Sequence, residues 1–516
     1  MQKKINRVLF WFILIQPFLE LDWFYKGRLS TILPFTIPTI IRIVGVFVVF
    51  LMFFSQKNNW QRLRKQWWVI TYIILLIIYI FLHLYHVRPA NFHAVDPSGY
   101  GYSTFGEIFY LLRMILPIII LYITRYTHFS EKQFEHLIQT LAGLFSLTIV
   151  LTNLFVHSLT AYGSYGVRWI HANIFAWFTS NNYAYFELAS KGFFYLANTI
   201  SAILFFLMPL MLYFLYKDFK ALNIILVVAQ SLAMLMLGTK VGAYGLFIDF
   251  IVFFIFYLVH LFILKNIKVN KKFLLTLVLI ILGSSLIVPH SPMFRRNTYD
   301  IGVADNRGKK ANIKKSDDIL KRDLKKYSGA KREKVLKHFI KKHYYAYSLK
   351  KGFVLKSYSY KYDPDFWLEI MKSPVDERLN YRHLEIKMLN KVVANNHNKY
   401  DKFLGISYIR ENNIFPLERD FLAQYYSTGI IGVLLFLGIY IYELFYLIYS
   451  WFKSKANRQF INTIILVALG FILTAAFYSG NVMDYLTATL IMAFVYGYAL
   501  QLVDKSKAKK LNNSDK

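Results

Sequence analysis

Long apolar runs separated by short polar loops dominate this sequence, and only one polar stretch is too long to be a connector. The runs predict helices over 8–24, 36–55, 67–86, 105–124, 136–157, 193–216, 219–237, 242–264 and 272–289. Beyond the polar stretch they predict three more, over 424–449, 460–478 and 483–502. About 20 residues of helix, each rising about 1.5 Å, cross a hydrocarbon layer of about 30 Å. The alternating segments of about ten residues that mark a transmembrane barrel are not seen. The pattern therefore predicts an all-α polytopic bundle of about 12 transmembrane helices. The link Lys217-Asp218-Phe219-Lys220 is so short that helices six and seven are expected to form a tight antiparallel pair. No internal repeat is visible, which counts against a transporter assembled from inverted halves.

The polar stretch divides the chain into transmembrane helices 1–9 (1–289), a loop domain (290–419), transmembrane helices 10–12 (420–502) and a basic tail (503–516). Within the loop, Ser316 to Lys342 predicts a lysine-rich amphipathic helix capped by Ser316, with Asp317 and Asp318 in its first turn. Asp376 to Val393 predicts a second helix, with Leu379, Arg382, Ile386, Leu389 and Val393 on one stripe. The arginine in that stripe marks either a binding function or the edge of the face. Alternate short loops are basic, carrying Lys57, Arg62, Arg64 and Lys65, then Arg125 and Lys132, then Lys217 and Lys220. The series continues with Lys265, Lys268, Lys271 and Lys272, and with Lys453, Lys455 and Arg458. Lys3, Lys4 and the tail from Lys505 to Lys510 fall on the same side, whereas loops 25–34, 88–104 and 479–482 are poorer in charge. The positive-inside rule then predicts cytoplasmic termini and a large loop outside the plasma membrane. The first apolar run has no small-residue cleavage site after it, so it is expected to remain as helix one.

Composition narrows the partners. Of 516 residues 56% are hydrophobic, 18% aromatic and only 17% charged, against roughly 25% charged in a soluble domain. The sequence has no cysteine, which excludes disulfides and thiolate metal sites. Of the formal charge of +32, the loop 290–419 holds 30 lysines and arginines against 15 acids, an excess of 15. Nucleic acid is the usual partner of so basic a protein, but an outer location excludes it. Anionic lipid-linked diphosphates or polyanionic wall polymers are the better candidates. Long loops cross the membrane regardless of charge, so the excess does not conflict with the orientation.

The candidate chemistry concentrates in Pro416 to Gly432, where the loop returns to an apolar helix. Glu418, Arg419 and Asp420 stand at the edge of the hydrocarbon, where ionisable groups are costly and mark function. Glu418 reads either as an ion pair with Arg419 capping the helix or as a general base whose pKa rises on partial desolvation. Gly429 and Gly432 form a Gly-x-x-Gly that also suits close helix packing. Lys240 either snorkels to the surface or meets an anion. Arg168 lies among Tyr162, Tyr165 and Trp169, rings that serve as interfacial anchors or as sugar-stacking surfaces. Arg42, Arg113, Glu107, Asp249 and Glu443 lie in or near apolar runs. Arg42 and Arg113 either hold a carrier phosphate or pair with acids such as Glu107; structural pairing is the favoured reading.

Twelve helices, inside termini and one large outer loop between helices nine and ten resemble the O-antigen ligase and Wzy-type polysaccharide polymerase superfamily. So does the spacing of Glu418-Arg419, about nine positions before Gly429-Ile-Ile-Gly432. The turn Leu237-Gly-Thr-Lys-Val-Gly242 is similar to the family's small-residue turn ending in Arg-Gly, with Lys240 in the arginine's place. Arg168 corresponds to an arginine in the outer loop between helices five and six. The resemblance covers most of the chain in topology but only these patches in sequence. Glu418 stands where the ligases carry His, an acidic version more like the polymerases. The resemblance implies glycan transfer from an undecaprenyl diphosphate carrier to an acceptor sugar, without metal or cofactor. Glu418 would be the base, and Arg168, Lys240, Arg382 and Arg419 would bind the diphosphate. Asp420, Arg42 and Arg113 are secondary candidates.

The expected function is therefore a polymerase that joins undecaprenyl-diphosphate-linked repeat units into a capsular, exopolysaccharide or wall polymer on the outer face. Its expected partners are lipid-linked glycans as donor and acceptor, the bilayer and other polysaccharide-assembly membrane proteins. A ligase-like transfer to a different acceptor is one alternative. A lipid-linked oligosaccharide flippase is another, although a flippase has little use for a folded outer domain. A third chemistry is signalled by Glu20-Leu-Asp22, which matches the Glu-x-Asp of metal-using glycosyltransferases fed by polyprenyl phosphate sugars. Asp363-Pro-Asp365 is a further acidic pair, but nucleotide sugars are not expected outside the cell.

Overall fold

The computed structural model describes residues 2–26, 36–93, 100–307 and 310–514, so the loops 25–34 and 88–104 lie partly outside the described residues. Among these residues there is no strand, and ten helices are long and apolar enough to cross a membrane. The all-α polytopic class is therefore the observed one. Two of the twelve predicted helices fall short of a full span. Helix Gln2–Ile15 gives way at Pro17, which lacks an N–H, to the tight turn Gln16–Glu20. Ala221–Met236 is an apolar helix of 16 residues that ends just before Gly238, whose φ is +66°. The tenth predicted helix is longer than expected. It runs as one apolar span from Asp420 to Lys453, with Gly429 non-helical inside it and a break between Phe436 and Gly438.

The chain forms two compact units. The first comprises Met1–Ile74, Leu111–Arg296 and Phe436–Lys516, and the second Leu75–Tyr110 and Asn297–Leu435. At the heart of the first unit is Ala197–Lys217, 94% of whose span is buried. It is surrounded by Glu131–Leu154, Ala221–Met236, Lys240–Leu258 and Phe460–Tyr478. The span Lys271–Asp300 is only 17% buried and turns Leu275, Leu279, Leu282 and Leu286 outward. Hydrocarbon outside a bundle tolerates this as water would not, because lipid tails are as apolar as leucine.

The second unit has its own core, built on Leu336, Phe339, Ile340, Phe353, Trp367 and Met388. The lysine-rich segment forms two helices rather than one, Lys310–Lys326 and Gly329–His343. Ser316 lies inside the first of them and does not cap it, because that helix starts six residues earlier than expected. Gly329, at φ +54°, allows the break. The second predicted helix is Tyr381–Asn396, preceded by the short helix Val375–Leu379. Asn380 caps it by accepting from the His383 N–H at 3.3 Å. The buried face is Leu384, Glu385, Met388, Leu389 and Val392 rather than the stripe through Arg382, because it is this side of the helix that packs into the core of the second unit.

Candidate active site

The corner where the chain returns to the apolar helix is a crossing of two backbone segments. The Ile406 N–H donates to Tyr426 O at 2.8 Å and the Ser407 N–H to Ser427 O at 3.2 Å. Gly405 and Gly429 face this crossing at φ +78° and +69°. A Cβ on Gly405 would collide with the backbone of Ser427 and Thr428, and one on Gly429 with that of Phe403 and Leu404. Gly429 therefore serves a backbone crossing, while Gly432 lies against the Thr428 side chain and the Tyr79 hydroxyl. Tyr79 completes the corner by donating to Thr428 O at 2.6 Å.

A buried carboxylate clamps the same corner. Glu107 Oε1 accepts from the Tyr408 N–H at 3.0 Å and lies 2.9 Å from His83 Nε2. Its Oε2 accepts from Ser407 Oγ at 2.7 Å. One turn along, His86 Nε2 lies 2.9 Å from Asp401 Oδ1, and both residues are buried. Glu107 thus holds the N-terminus of helix Tyr408–Ile414 (N–H groups without intrahelical partners) against the end of Trp67–His86.

Four sequence candidates meet on or beside this corner in the second unit. Arg382 Nη2 donates to Glu418 Oε2 at 3.0 Å, so these two are brought together as expected. Glu418 is 48% exposed, however, and is not the partly desolvated carboxylate the sequence led us to expect. The desolvated carboxylate is Glu385, 3% exposed and one turn along the helix from Arg382. Its Oε2 is buried without a hydrogen-bond partner. Burial, and then the neighbouring Glu418 charge, push the Glu385 carboxyl up to about 8, against the opposing pull of Lys350, Arg382 and Arg419. The Arg419 Nε is likewise buried without an acceptor. Lys350 places its ammonium over Phe353, Tyr381 and Phe415, at 5.0, 5.4 and 4.8 Å from the ring centroids. Asp420, beside Arg419, is buried at the first turn of the return helix.

The other candidates belong to the first unit. Arg168 is 65% exposed, lies over the Trp169 ring and sits 4.0 Å from Asp22. Its loop is tied in by Thr160, whose N–H donates to Arg168 O at 3.0 Å, and by Ser190, whose N–H donates to Met236 O at 2.7 Å. The Leu237–Gly242 turn forms as expected. Thr239 caps helix Lys240–Leu258 by accepting from the Gly242 N–H, and Lys240 stands exposed at the helix start. Tyr162 donates to Gly238 O at 2.6 Å, so the Arg168 loop and the Lys240 turn share one scaffold.

Arg42 is buried and structural, but its acid is Glu20 at 3.4 Å, not Glu107. Gln16 Oε1 and Gln16 O accept from it at 3.0 and 3.1 Å, and Thr487 is bonded to both Arg42 and Glu20. Glu20 of the Glu-x-Asp pair is thus turned onto an arginine and a threonine. Arg113 is half-buried in the span Thr104–Tyr126. Asp363 and Asp365 also have structural partners: Asp363 caps helix Pro364–Lys372 and accepts from Tyr358, and Asp365 pairs with Arg332 at 2.7 Å.

A family model described as "O-antigen ligase like membrane protein" matches residues 2–506, nearly the whole chain. The chain belongs to this O-antigen ligase-like family. No curated protein matches it. Seen as a member of the family, the chain adds three residues to those expected for the corner: Glu385, Lys350 and Glu107. Glu385 had a readable signal. Leu384, Glu385, Met388, Leu389 and Val392 repeat at helical spacing, and an acid inside an apolar stripe announces a buried charge. Lys350 had no such signal, since the rings around it come from three separate segments.

Proposed function

We propose that this O-antigen ligase-like protein is a membrane glycosyltransferase of the polymerase type, which joins undecaprenyl-diphosphate-linked repeat units outside the plasma membrane. The observation that carries the reading is the Glu418–Arg382 pair at the return corner, with Arg419 and the proton-holding Glu385 beside it. The family match supports glycan transfer in a membrane protein, and the acid at position 418 favours polymerase over ligase. Glu418, accessible at 48% exposure, takes the proton of the acceptor sugar hydroxyl. That oxygen bonds to C1 of the donor glycan as the C1–O bond to the carrier diphosphate breaks, and the diphosphate leaves with the electron pair and inversion at C1. Arg382 and Arg419 offer the leaving phosphates guanidinium forks. Arg168 and Lys240 remain proposed phosphate contacts, and Asp420 helps to set the electrostatics of the corner. Neither step calls for a metal or a nucleotide.

Glu418→Gln tests this. Polymer length is read on a gel while lipid-linked single units are located across the membrane. Long chains should disappear and single units accumulate outside, with the transfer rate down about 10²–10⁴-fold. Single units trapped on the cytoplasmic side would instead indicate a flippase. Loss of wild-type transfer on adding a chelator would indicate the metal-using chemistry. A normal repeat length with loss of attachment to a separate acceptor would indicate a ligase.

A further inference from the structure

Glu385 is a costly residue to keep. A carboxyl that is 3% exposed, with one oxygen left without a partner, would ordinarily be replaced by an apolar side chain on the same stripe. Its charged neighbours come from three segments. Lys350 lies before the turn Phe353–Ser357, Arg382 is on the same helix, and Glu418 and Arg419 are on the return corner. Glu418 is already committed to Arg382. With Glu385 neutral, Lys350, Arg382, Arg419 and Glu418 sum to a formal charge of +2. A carrier diphosphate esterified at both ends carries two negative charges, so the neutral state of Glu385 matches it. With Glu385 ionised the same cluster carries only +1, and the new carboxylate draws on the charges of Lys350, Arg382 and Arg419.

We propose that Glu385 is a positioning residue that regulates anion capture at the corner: neutral, it leaves Lys350, Arg382 and Arg419 to a diphosphate diester, and ionised, it competes for them. This rests on the glycosyl-transfer reading above and adds to it a pH limit on donor binding. The sign follows from the direction of the shift. The group is neutral below about pH 8 and ionises above it, so binding is strong at neutral pH and is lost as pH rises. At pH 9 roughly a tenth of the molecules are in the competent state, which weakens apparent affinity about tenfold.

The test measures binding rather than turnover, using the full-length chain in lipid nanodiscs and a short-chain polyprenyl diphosphate sugar, whose own charge is constant over the range. In the wild type the apparent Kd should rise about tenfold between pH 7 and pH 9. In Glu385→Gln it should be the same at both values. A wild-type Kd that does not change with pH overturns the proposal, even if the variant does not fold. So does a Glu385→Gln protein that keeps the wild-type slope. Absence of binding at any pH in the wild type would instead bring down the diphosphate-donor reading on which the proposal stands.

Discussion

At Arg42 the guanidinium donates to Gln16 and reaches Glu20, and the arginine is 2% exposed. A charge so enclosed by its own chain has no free face for a carrier phosphate. Removing it leaves Glu20 buried and uncompensated, which costs about 3–5 kcal/mol in comparable pairs. Arg42→Ala should therefore lower the thermal stability of the purified protein sharply, and adding Glu20→Gln should recover part of the loss. If Arg42 instead held substrate, the single variant would keep its melting temperature and lose only turnover. Glu418 presents the reverse case. Its 48% exposure leaves the carboxylate accessible to an acceptor, and its pairing with Arg382 holds it in place. The same exposure keeps that surface pair from contributing much to stability. Glu418→Gln should consequently leave the melting temperature nearly unchanged while transfer falls.

Among the elements, the decisive one is the non-helical step at Gly429 inside the span Asp420–Lys453. Only a residue without a Cβ can pass this close to the Phe403–Leu404 backbone, and its positive φ strains any other residue. Gly429→Ala should destabilise the corner by a few kcal/mol, at the upper end for single substitutions. Limited proteolysis reads this as new cleavage near 401–414. An unchanged digestion pattern would mean that the crossing is looser than the geometry requires. The Gly-x-x-Gly spacing was legible in the sequence, but the usual meaning of such a pair, helices packing on one another, holds only in part for Gly429. Its partner is the end of the four-residue helix Asp401–Leu404, which is too short to leave a periodic signature in the sequence.

For the whole molecule, the absence of cysteine makes orientation directly measurable. Single cysteines placed at Lys342 and at Lys453 have no native background. A membrane-impermeant thiol reagent applied to intact cells should label the first and not the second, as the positive-inside rule requires. Labelling in the reverse order would put the basic segment in the cytoplasm and remove the basis for chemistry outside the cell. The two compact units also change how the return corner is understood. The unit containing 297–435 includes Leu75–Tyr110, so the ends of two membrane helices belong to it. His83 and Glu107 act there as structural ties; a structural pairing was expected for Glu107, but with an arginine rather than with His83 and Ser407.

The sequence by itself determined the class, most of the membrane helices and the stretch that carries the candidate chemistry. These depend on local composition, because a backbone in hydrocarbon must satisfy its own hydrogen bonds and an apolar run of sufficient length becomes a helix. Only the tertiary structure decided which charges are buried and which face outward. Glu418 and Arg382 are 36 positions apart and Glu107 and Ser407 are 300 apart, yet each pair shares a hydrogen bond. The helix Tyr381–Asn396 turns Leu384, Met388, Leu389 and Val392 into the core of its unit, and Glu385, rather than Arg382, lies on that buried face. Desolvation depends on everything packed around a group, so a carboxylate's protonation is a property of the folded molecule that its neighbours in sequence do not convey.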